Sequence, residues 1–136
     1  MKTNNHVLIG LLAILFGTLL GKAFPEEKRH EKDYQIVASK KFDNAKIEHI
    51  LPDKTRIDIL TDKEAIEVDW ASKWAEGIGQ SLHYSTMTGK EAGLILILKK
   101  PDDSKYVARV KHILLIKSLK INLYTIDANL NFKKVN

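Results

Sequence analysis

The first long apolar stretch of the chain covers residues 7–21, and Lys2 precedes it. The stretch runs into a Gly-Lys-Ala segment, which has small residues at both positions that a signal peptidase recognises. It falls short of the roughly 20 residues that a helix needs to cross the hydrocarbon core of a membrane. The pattern therefore predicts a signal peptide over residues 1–23 and a secreted or periplasmic mature protein that begins at Phe24. The alternative is an uncleaved segment that anchors the protein to the membrane.

A polar segment, residues 24–33, separates this stretch from the remainder of the chain. Its composition is typical of a solvated linker or of the polar start of a helix. Apolar positions recur from Tyr34 to about residue 134, and we expect this range to form one domain around a single core.

The spacing of the apolar positions in residues 34–134 predicts five strands and three helices. The expected order is a helix within 34–42, strands at 45–51, 56–60 and 65–70, a helix at 70–86, a strand at 92–98, a helix from about 102 to 119 and a strand at 121–126. This α-β-β-β-α-β-α-β order is typical of an α/β fold in which helices flank a mixed β-sheet.

Alternation along the second and third predicted strands places acidic side chains on a common face. Ile57, Ile59, Ile66 and Val68 are expected on one face, and Asp58, Glu67 and Asp69 on the other. Hard cations such as Mg²⁺ take oxygen ligands, so acids on adjacent strands are candidate metal ligands. The alternative is that these acids form the solvated face of an amphipathic sheet.

Two stripes run along the predicted helix that follows these strands. Trp74, Ile78 and Leu82 form an apolar stripe that we expect in the core, and Lys73, Gly77, Gln80 and Tyr84 form a second stripe that would turn toward the acids. Asp69 directly precedes this helix, so it could cap the helix, ligate a metal or do both. Lys73 could equally be an exposed helix lysine.

Composition narrows the chemistry that remains available. The chain has no Cys, which excludes disulfides, thiolate metal sites and cysteine nucleophiles, and its five His residues do not cluster in the sequence. A net charge of +5 is compatible with a polyanionic partner. Lys105, Arg109 and His112 form a basic helical stripe, which either is simply solvated or contacts phosphates.

The element order and three short motifs resemble the PD-(D/E)XK nuclease superfamily. The motifs are RIDIL around Asp58, AIEVDW around Glu67, and Gln80-x-x-x-Tyr84. The resemblance implies a restriction endonuclease-like core and hydrolysis of phosphodiester bonds in DNA with Mg²⁺ or Mn²⁺, without a small-molecule cofactor. It also implies that Asp58 and Glu67 are catalytic metal ligands, and that Gln80 and Tyr84 contact the DNA backbone or tune the metal site.

The sequence departs from this family at one position. Asp69 stands where the family has the lysine that orients the attacking water, and an aspartate cannot supply that positive charge. Lys73, four residues later, is the candidate for a lysine that has moved to the neighbouring helix, and Asp69 would then be an additional metal ligand. Glu48 matches an acidic position upstream of the Asp in many relatives, although others carry that acid on the first helix. The alternative function is an inactive nuclease fold that binds nucleic acid or a protein partner in the cell envelope.

Overall fold

The computed structural model describes residues 28–136, so the predicted signal peptide or anchor and the start of the polar segment lie outside the described residues. Within that range three helices and six strands form one α/β domain. Two 3₁₀ turns, Ala71–Lys73 and Pro101–Asp103, precede the second and third helices. The elements are α1 (Glu31–Ser39), β1 (Lys46–Ile50), β2 (Arg56–Leu60), β3 (Glu64–Trp70), α2 (Trp74–Thr88), β4 (Glu91–Leu98), α3 (Ser104–Ile116), β5 (Ile121–Asp127) and β6 (Phe132–Lys134).

The six strands form one mixed sheet in the order β1-β2-β3-β4-β5-β6. Strands β1, β2 and β3 are an antiparallel meander, α2 and α3 connect the parallel strands β3, β4 and β5, and β6 pairs antiparallel with β5. The predicted α/β class with a mixed sheet flanked by helices is therefore confirmed. None of the helices in the described part of the chain is long and apolar enough to cross a membrane.

Helices cover both faces of the sheet. Helix α1 packs on one face over a core of Tyr34, Ala38, Ile59, Ile66, Val68, Ile95, Ile97, Tyr124 and Ile126. On the other face, the 3₁₀ turn before α2 and the helix α3 cover a core of Ala71, Ala92, Leu94, Leu96, Val110, Leu114, Ile121 and Leu123. The continuous apolar run of β4 contributes to both cores, as expected of a central strand that is buried on both faces.

Helix α1 begins at Glu31, three residues before the predicted start of the domain. Glu31 and Asp33 lie in its first turn, where acidic groups interact favourably with the positive end of the helix dipole. The Asp33 carboxylate also accepts a hydrogen bond of 2.7 Å from the His30 amide. The described end of the polar segment is thus partly the start of a helix, one of the two alternatives that its composition left open.

Strand β6 was missed by the sequence analysis because it has only three residues, too few for an alternating pattern. It forms because β5 offers an edge for pairing, with Phe132 opposite Ile126. The end of the chain continues along β5, where the Asn136 side chain accepts a hydrogen bond from the Leu123 amide at 2.7 Å.

The prediction for α2 was wrong in two respects. The α-helix begins at Trp74 rather than Trp70, so Lys73 lies on a 3₁₀ turn. The most buried line of α2 is Gly77, Ser81 and Tyr84, whereas the apolar stripe of Trp74, Ile78 and Leu82 is only partly buried against the second core.

Small residues explain why α2 turns this side to the sheet. A Cβ atom at Gly77 would lie 2.8 Å from Leu94 Cδ1, so only glycine permits this close approach without a shift of the core. One turn later, Ser81 Oγ donates hydrogen bonds to the carbonyl oxygens of Gly77 and Gly93 at 2.7 and 2.9 Å. The stripe that contains Gln80 and Tyr84 is therefore held next to β3.

The predicted division of side chains between the sheet faces holds for β3. Ile66 and Val68 enter the core beneath α1, and Glu67 and Asp69 are buried on the side of α2, with only 6% and 3% of their surfaces exposed. On β2 the prediction was wrong. Ile59 joins the core beneath α1, but Ile57 packs in a separate cluster with Tyr84, because the paired ladder between β2 and β3 ends at Ile59.

Candidate active site

An open cleft of about 580 Å³ lies where α1 and α2 meet β2 and β3. The six residues singled out from the sequence all line it: Asp58, Glu67, Asp69, Lys73, Gln80 and Tyr84. These residues come from two strands, a 3₁₀ turn and a helix, and the fold brings them together across 27 positions of sequence.

The end of the β2–β3 ladder positions the two central acids. The last pairs are Leu60 with Ala65 and Ile59 with Ile66, and the same register continued would place Asp58 opposite Glu67. At that point the Asp58 carboxylate accepts a hydrogen bond of 2.8 Å from the Val68 amide, in place of a backbone partner. The strands thus separate at Asp58, which opens room for a carboxyl group from each of them.

A glutamine on α1 supports Asp58 from behind. Gln35, 3% exposed, donates a hydrogen bond of 2.7 Å to the Asp58 carbonyl oxygen, and its Nε2 lies 3.4 Å from the Asp58 carboxylate. The position of Asp58 is therefore determined by both α1 and β3.

The two central acids affect each other's ionisation in opposite directions: Asp58 raises the pKa of Glu67, whereas the hydrogen bond with Glu67 lowers the pKa of Asp58. Burial, followed by the charges of Asp58 and Asp69, raises the pKa of Glu67 to about 9. Burial also raises the pKa of Asp58, although the Val68 amide opposes that shift. Within the described part of the chain, no Lys or Arg forms an ion pair with either acid, although the charge of Arg56 lowers the pKa of Asp58.

Asp69 is the third acid on this wall of the cleft. Burial raises the pKa of its carboxyl group to about 6, against the opposing effects of the Trp70 amide and Lys73. Its Oδ1 accepts a hydrogen bond of 2.7 Å from Trp70, the next residue, and neither the 3₁₀ turn nor α2 has a side-chain cap. The helix-cap interpretation of Asp69 is therefore wrong, and its carboxylate lines the cleft.

Lys73 supplies a positive charge at the mouth of the cleft. Its Nζ lies 3.8 Å from Asp69 Oδ1, and 54% of the side-chain surface is exposed. The ammonium group thus lies beside the buried acids and remains accessible to a ligand that enters from solvent.

Gln80 and Tyr84 form the wall contributed by α2. Gln80 Oε1 is buried and has no hydrogen-bond partner among the described residues. Burial, and then the charge of Glu67, raises the pKa of the Tyr84 hydroxyl to about 12, which keeps it a hydrogen-bond donor at neutral pH. Both side chains therefore present polar atoms to the cleft.

The sequence analysis missed two acids of the cleft, Glu31 and Glu76. Burial, followed by the charge of Asp58, raises the pKa of Glu31, which places this carboxyl group near the central pair. The available signal was helical spacing from Glu31 to the buried Tyr34 and Ala38, which would have extended α1 toward the N-terminus.

Glu48, the upstream acid considered from the sequence, does not line this cleft. It lies in a neighbouring pocket and forms ion pairs with Lys32 at 2.7 Å and Arg56 at 3.1 Å. Its backbone has a φ of 59°, a left-handed conformation that is uncommon for glutamate. This kink interrupts the exposed edge of β1.

The donor atoms in the cleft fit a hard divalent cation. Within residues 28–136, no three His, Cys, Asp or Glu side chains are arranged to hold a metal ion by themselves. Asp58 and Glu67 nevertheless provide two adjacent carboxyl groups, and the unpartnered Oε1 of Gln80 is a further oxygen in the same cleft. Mg²⁺ is often bound through one or two carboxylates and keeps several waters, so this oxygen-only set suits it.

Comparison of the chain with models of protein families, with curated proteins and with solved structures finds no match. The resemblance to the PD-(D/E)XK superfamily therefore stays a prediction that rests on the motifs of this sequence.

Proposed function

We propose that the protein is an exported nuclease with a restriction endonuclease-like core, which hydrolyses phosphodiester bonds in DNA with Mg²⁺ or Mn²⁺. The observation that carries this proposal is the adjacent pair of the partly buried Asp58 and the buried Glu67, which form no ion pair among the described residues and share one cleft with Lys73. The succession of a helix, a three-stranded meander, a helix and a parallel strand supports the fold assignment. Export rests on the pattern of residues 1–23.

In this proposal Asp58 and Glu67 hold the cation, and Asp69 is available as a further ligand. The bound cation would neutralise negative charge on the scissile phosphate. Lys73 would orient the attacking water and stabilise the charge that develops on the phosphate oxygens. The water oxygen forms a bond to phosphorus while the bond to the leaving oxygen breaks. One end then carries a phosphate, and the other end takes a proton and carries a hydroxyl.

Gln80 and Tyr84 would hold the DNA backbone at the cleft. The Tyr84 hydroxyl stays protonated and donates to phosphate oxygens, and the Gln80 amide supplies another donor. Because both side chains lie on α2, one rigid element would align the backbone with the acids of β2 and β3.

A second candidate function is a nuclease fold that binds nucleic acid or a protein partner without cleaving it. The position of Lys73 favours this candidate, because its ammonium group lies 3.8 Å from Asp69, which stands at the lysine position of the family pattern. An ammonium group held by Asp69 would be less free to act on a water.

The experiment is incubation of the purified full-length chain with linear, circular and single-stranded DNA, in Mg²⁺, in Mn²⁺ and in EDTA. We expect cleavage that needs the metal and that is lost in Asp58→Asn. The matched control is Asp102→Asn, an exposed acid of the 3₁₀ turn before α3 that lies outside the cleft. A folded wild-type protein that is inert on all three substrates in both metals contradicts the nuclease proposal, and DNA binding by that inert protein would establish the second candidate.

A further inference from the structure

The outward side of α3 is a strongly basic surface. Residues 104–120, which cover α3 and the turn after it, contain five Lys or Arg residues and no acid. Lys105, Arg109 and His112 are all exposed and recur at helical spacing along one side. None of residues 104–120 lines the cleft that contains Asp58 and Glu67, so this surface is separate from the candidate active site.

Two large apolar side chains lie at the end of this basic surface. Leu115 is 76% exposed and Ile116 is 62% exposed. Helical spacing places Ile116 one turn beyond His112, and Leu115 one turn beyond Lys111. The exposed Lys117 follows them directly, so cations lie on both sides of the apolar pair.

The pair cannot be buried by a simple rotation of α3. The opposite side of the helix already packs against the sheet, where Val110 is fully buried and Leu114 is 7% exposed. Rotation toward Leu115 would expose these core residues. The helix also ends in a fixed turn, because Ser118 has a φ of 51° and the Leu119 amide donates to the Leu114 carbonyl at 2.9 Å.

We propose that this face of α3 docks on a membrane surface rich in anionic phospholipid. An exposed apolar pair flanked by cations matches such a surface, since the apolar side chains enter the boundary of the acyl chains while ammonium groups pair with headgroup phosphates. Nucleic acid would also attract the cations, but its phosphates offer no partner for Leu115 and Ile116. This proposal is independent of the nuclease activity.

A single fluorescent label tests the proposal, because the chain contains no cysteine of its own. His112→Cys places the label on the docking face and leaves the apolar pair intact. Met87→Cys, an exposed position on α2, is the matched control. The full-length labelled chains are mixed with vesicles of phosphatidylcholine, with or without phosphatidylglycerol. A water-soluble quencher of the label's fluorescence is then added.

We expect the label at position 112 to be protected from the aqueous quencher only on vesicles that contain phosphatidylglycerol, and less so at high salt. The label at position 87 stays accessible on both. This local readout distinguishes docking of α3 from membrane attachment through residues 7–21, which would not protect position 112.

The two components of the surface are separable by substitution in the labelled chain. Leu115→Ser with Ile116→Ser removes the apolar pair, and Lys111→Glu with Lys117→Glu reverses two charges. Each double variant should weaken vesicle protection by about tenfold or more, whereas Lys40→Glu, an exposed cation after α1, should not. An equally accessible label on both kinds of vesicle overturns the proposal. So does protection of position 112 by duplex DNA and not by vesicles, which would assign the face to nucleic acid.

Discussion

Two buried acidic regions of this protein differ in what surrounds their carboxyl groups. Asp103, 7% exposed, lies at the start of α3, and its carboxylate accepts hydrogen bonds from the backbone amides of Lys99 at 2.9 Å and Lys100 at 3.3 Å. Glu67 is equally buried at 6% exposed, but it faces Asp58 and another acid of its own strand. Equal burial therefore accompanies opposite electrostatic environments.

The difference separates an acid that builds the fold from acids that are available for chemistry. A buried carboxylate is tolerated when hydrogen-bond donors replace its water, as the two backbone amides do for Asp103. At Asp58 and Glu67 one backbone amide and the Gln35 side chain serve two carboxyl groups. No Lys or Arg in the described residues forms an ion pair with either of them, and repulsion from Asp58 helps to raise the pKa of Glu67. A cation bound between them would relieve that repulsion.

The largest expected effect comes from neutralising the central pair. If the proposed function holds, Asp58→Asn or Glu67→Gln should lower metal-dependent DNA cleavage by about 10³-fold, because a proposed metal ligand and its charge are lost. Initial rates on linear DNA in saturating Mg²⁺ measure this loss. Circular dichroism should show that both variants stay folded, since the substitutions remove repulsion rather than apolar packing. Unfolding of both variants would mean that Asp58 and Glu67 stabilise the fold. It would contradict the distinction drawn between these acids and Asp103.

A smaller loss is expected at Lys73, one of three cationic residues that line the cleft. Lys73→Ala should lower the rate by about 10²-fold, the usual scale for removal of a positioned electrostatic group. Affinity for Mg²⁺, followed by titration calorimetry, should not fall, since the ammonium group repels the metal. The matched control is Lys40→Ala, an exposed lysine after α1 that lies outside both the cleft and the basic surface of α3. A wild-type rate in Lys73→Ala would show that another group activates the water.

The central pair should also make the free energy of unfolding of the metal-free protein depend on pH. The pKa of Glu67 rises from its ordinary value of 4.5 to about 9 on folding, so the folded state binds more protons between these values. The free energy of unfolding contributed by this group is therefore fully present below pH 4.5 and is lost as the pH rises through about 9. The facing carboxyl groups of Asp58, Asp69 and Glu31 strengthen the trend.

Urea unfolding in EDTA across this range measures the effect. Glu67→Gln should flatten the decline in stability with pH, and Mg²⁺ should restore stability to the wild-type protein at the alkaline end. A wild-type stability that instead rises between pH 5 and 9 would contradict a buried Glu67 with a raised pKa, because stability rises with pH only where the unfolded chain binds more protons than the folded protein.

The smallest effect is expected at Asp103, whose carboxylate already accepts hydrogen bonds from two backbone amides. Asp103→Ala should lower the free energy of unfolding by about 1–2 kcal/mol, because two backbone amides at the start of α3 lose their acceptor. Thermal denaturation measures this change. The rate of DNA cleavage per folded molecule should match that of the wild type, and a loss of activity in the folded variant would place Asp103 among the functional residues.

The sequence by itself determined the elements whose signal is local. Apolar periodicity located the meander, the buried strand β4 and the three helices, because burial on a sheet or beneath a helix imposes periods of two or about 3.6 residues. Alternation also placed Ile66 and Val68 opposite Glu67 and Asp69. Helical spacing likewise placed Gln80 and Tyr84 on one side of α2, whereas the positions of Asp58 and Lys73 in the cleft depend on the end of the β2–β3 ladder and on the 3₁₀ turn.

Tertiary structure decided what depends on neighbours distant in the chain. Helix α2 turns Gly77 rather than Trp74 toward the sheet because a close approach needs a small residue opposite Leu94, a contact that periodicity within α2 does not report. Strand β6 exists because β5 offers it an edge.

Neighbours distant in the chain also explain why Asp103 and Glu67 have different environments. Asp103 and Glu67 have similar sequence surroundings in one respect, since each lies among apolar and charged residues next to a helix. Whether a buried carboxylate meets backbone amides or another carboxylate depends on the path of the chain around it. The sequence therefore identified Asp58 and Glu67 as candidate site residues. Only the fold determined that these two acids face each other while the Asp103 carboxylate is hydrogen-bonded, because hydrogen bonds and charge repulsion act over a few ångströms in space regardless of separation along the chain.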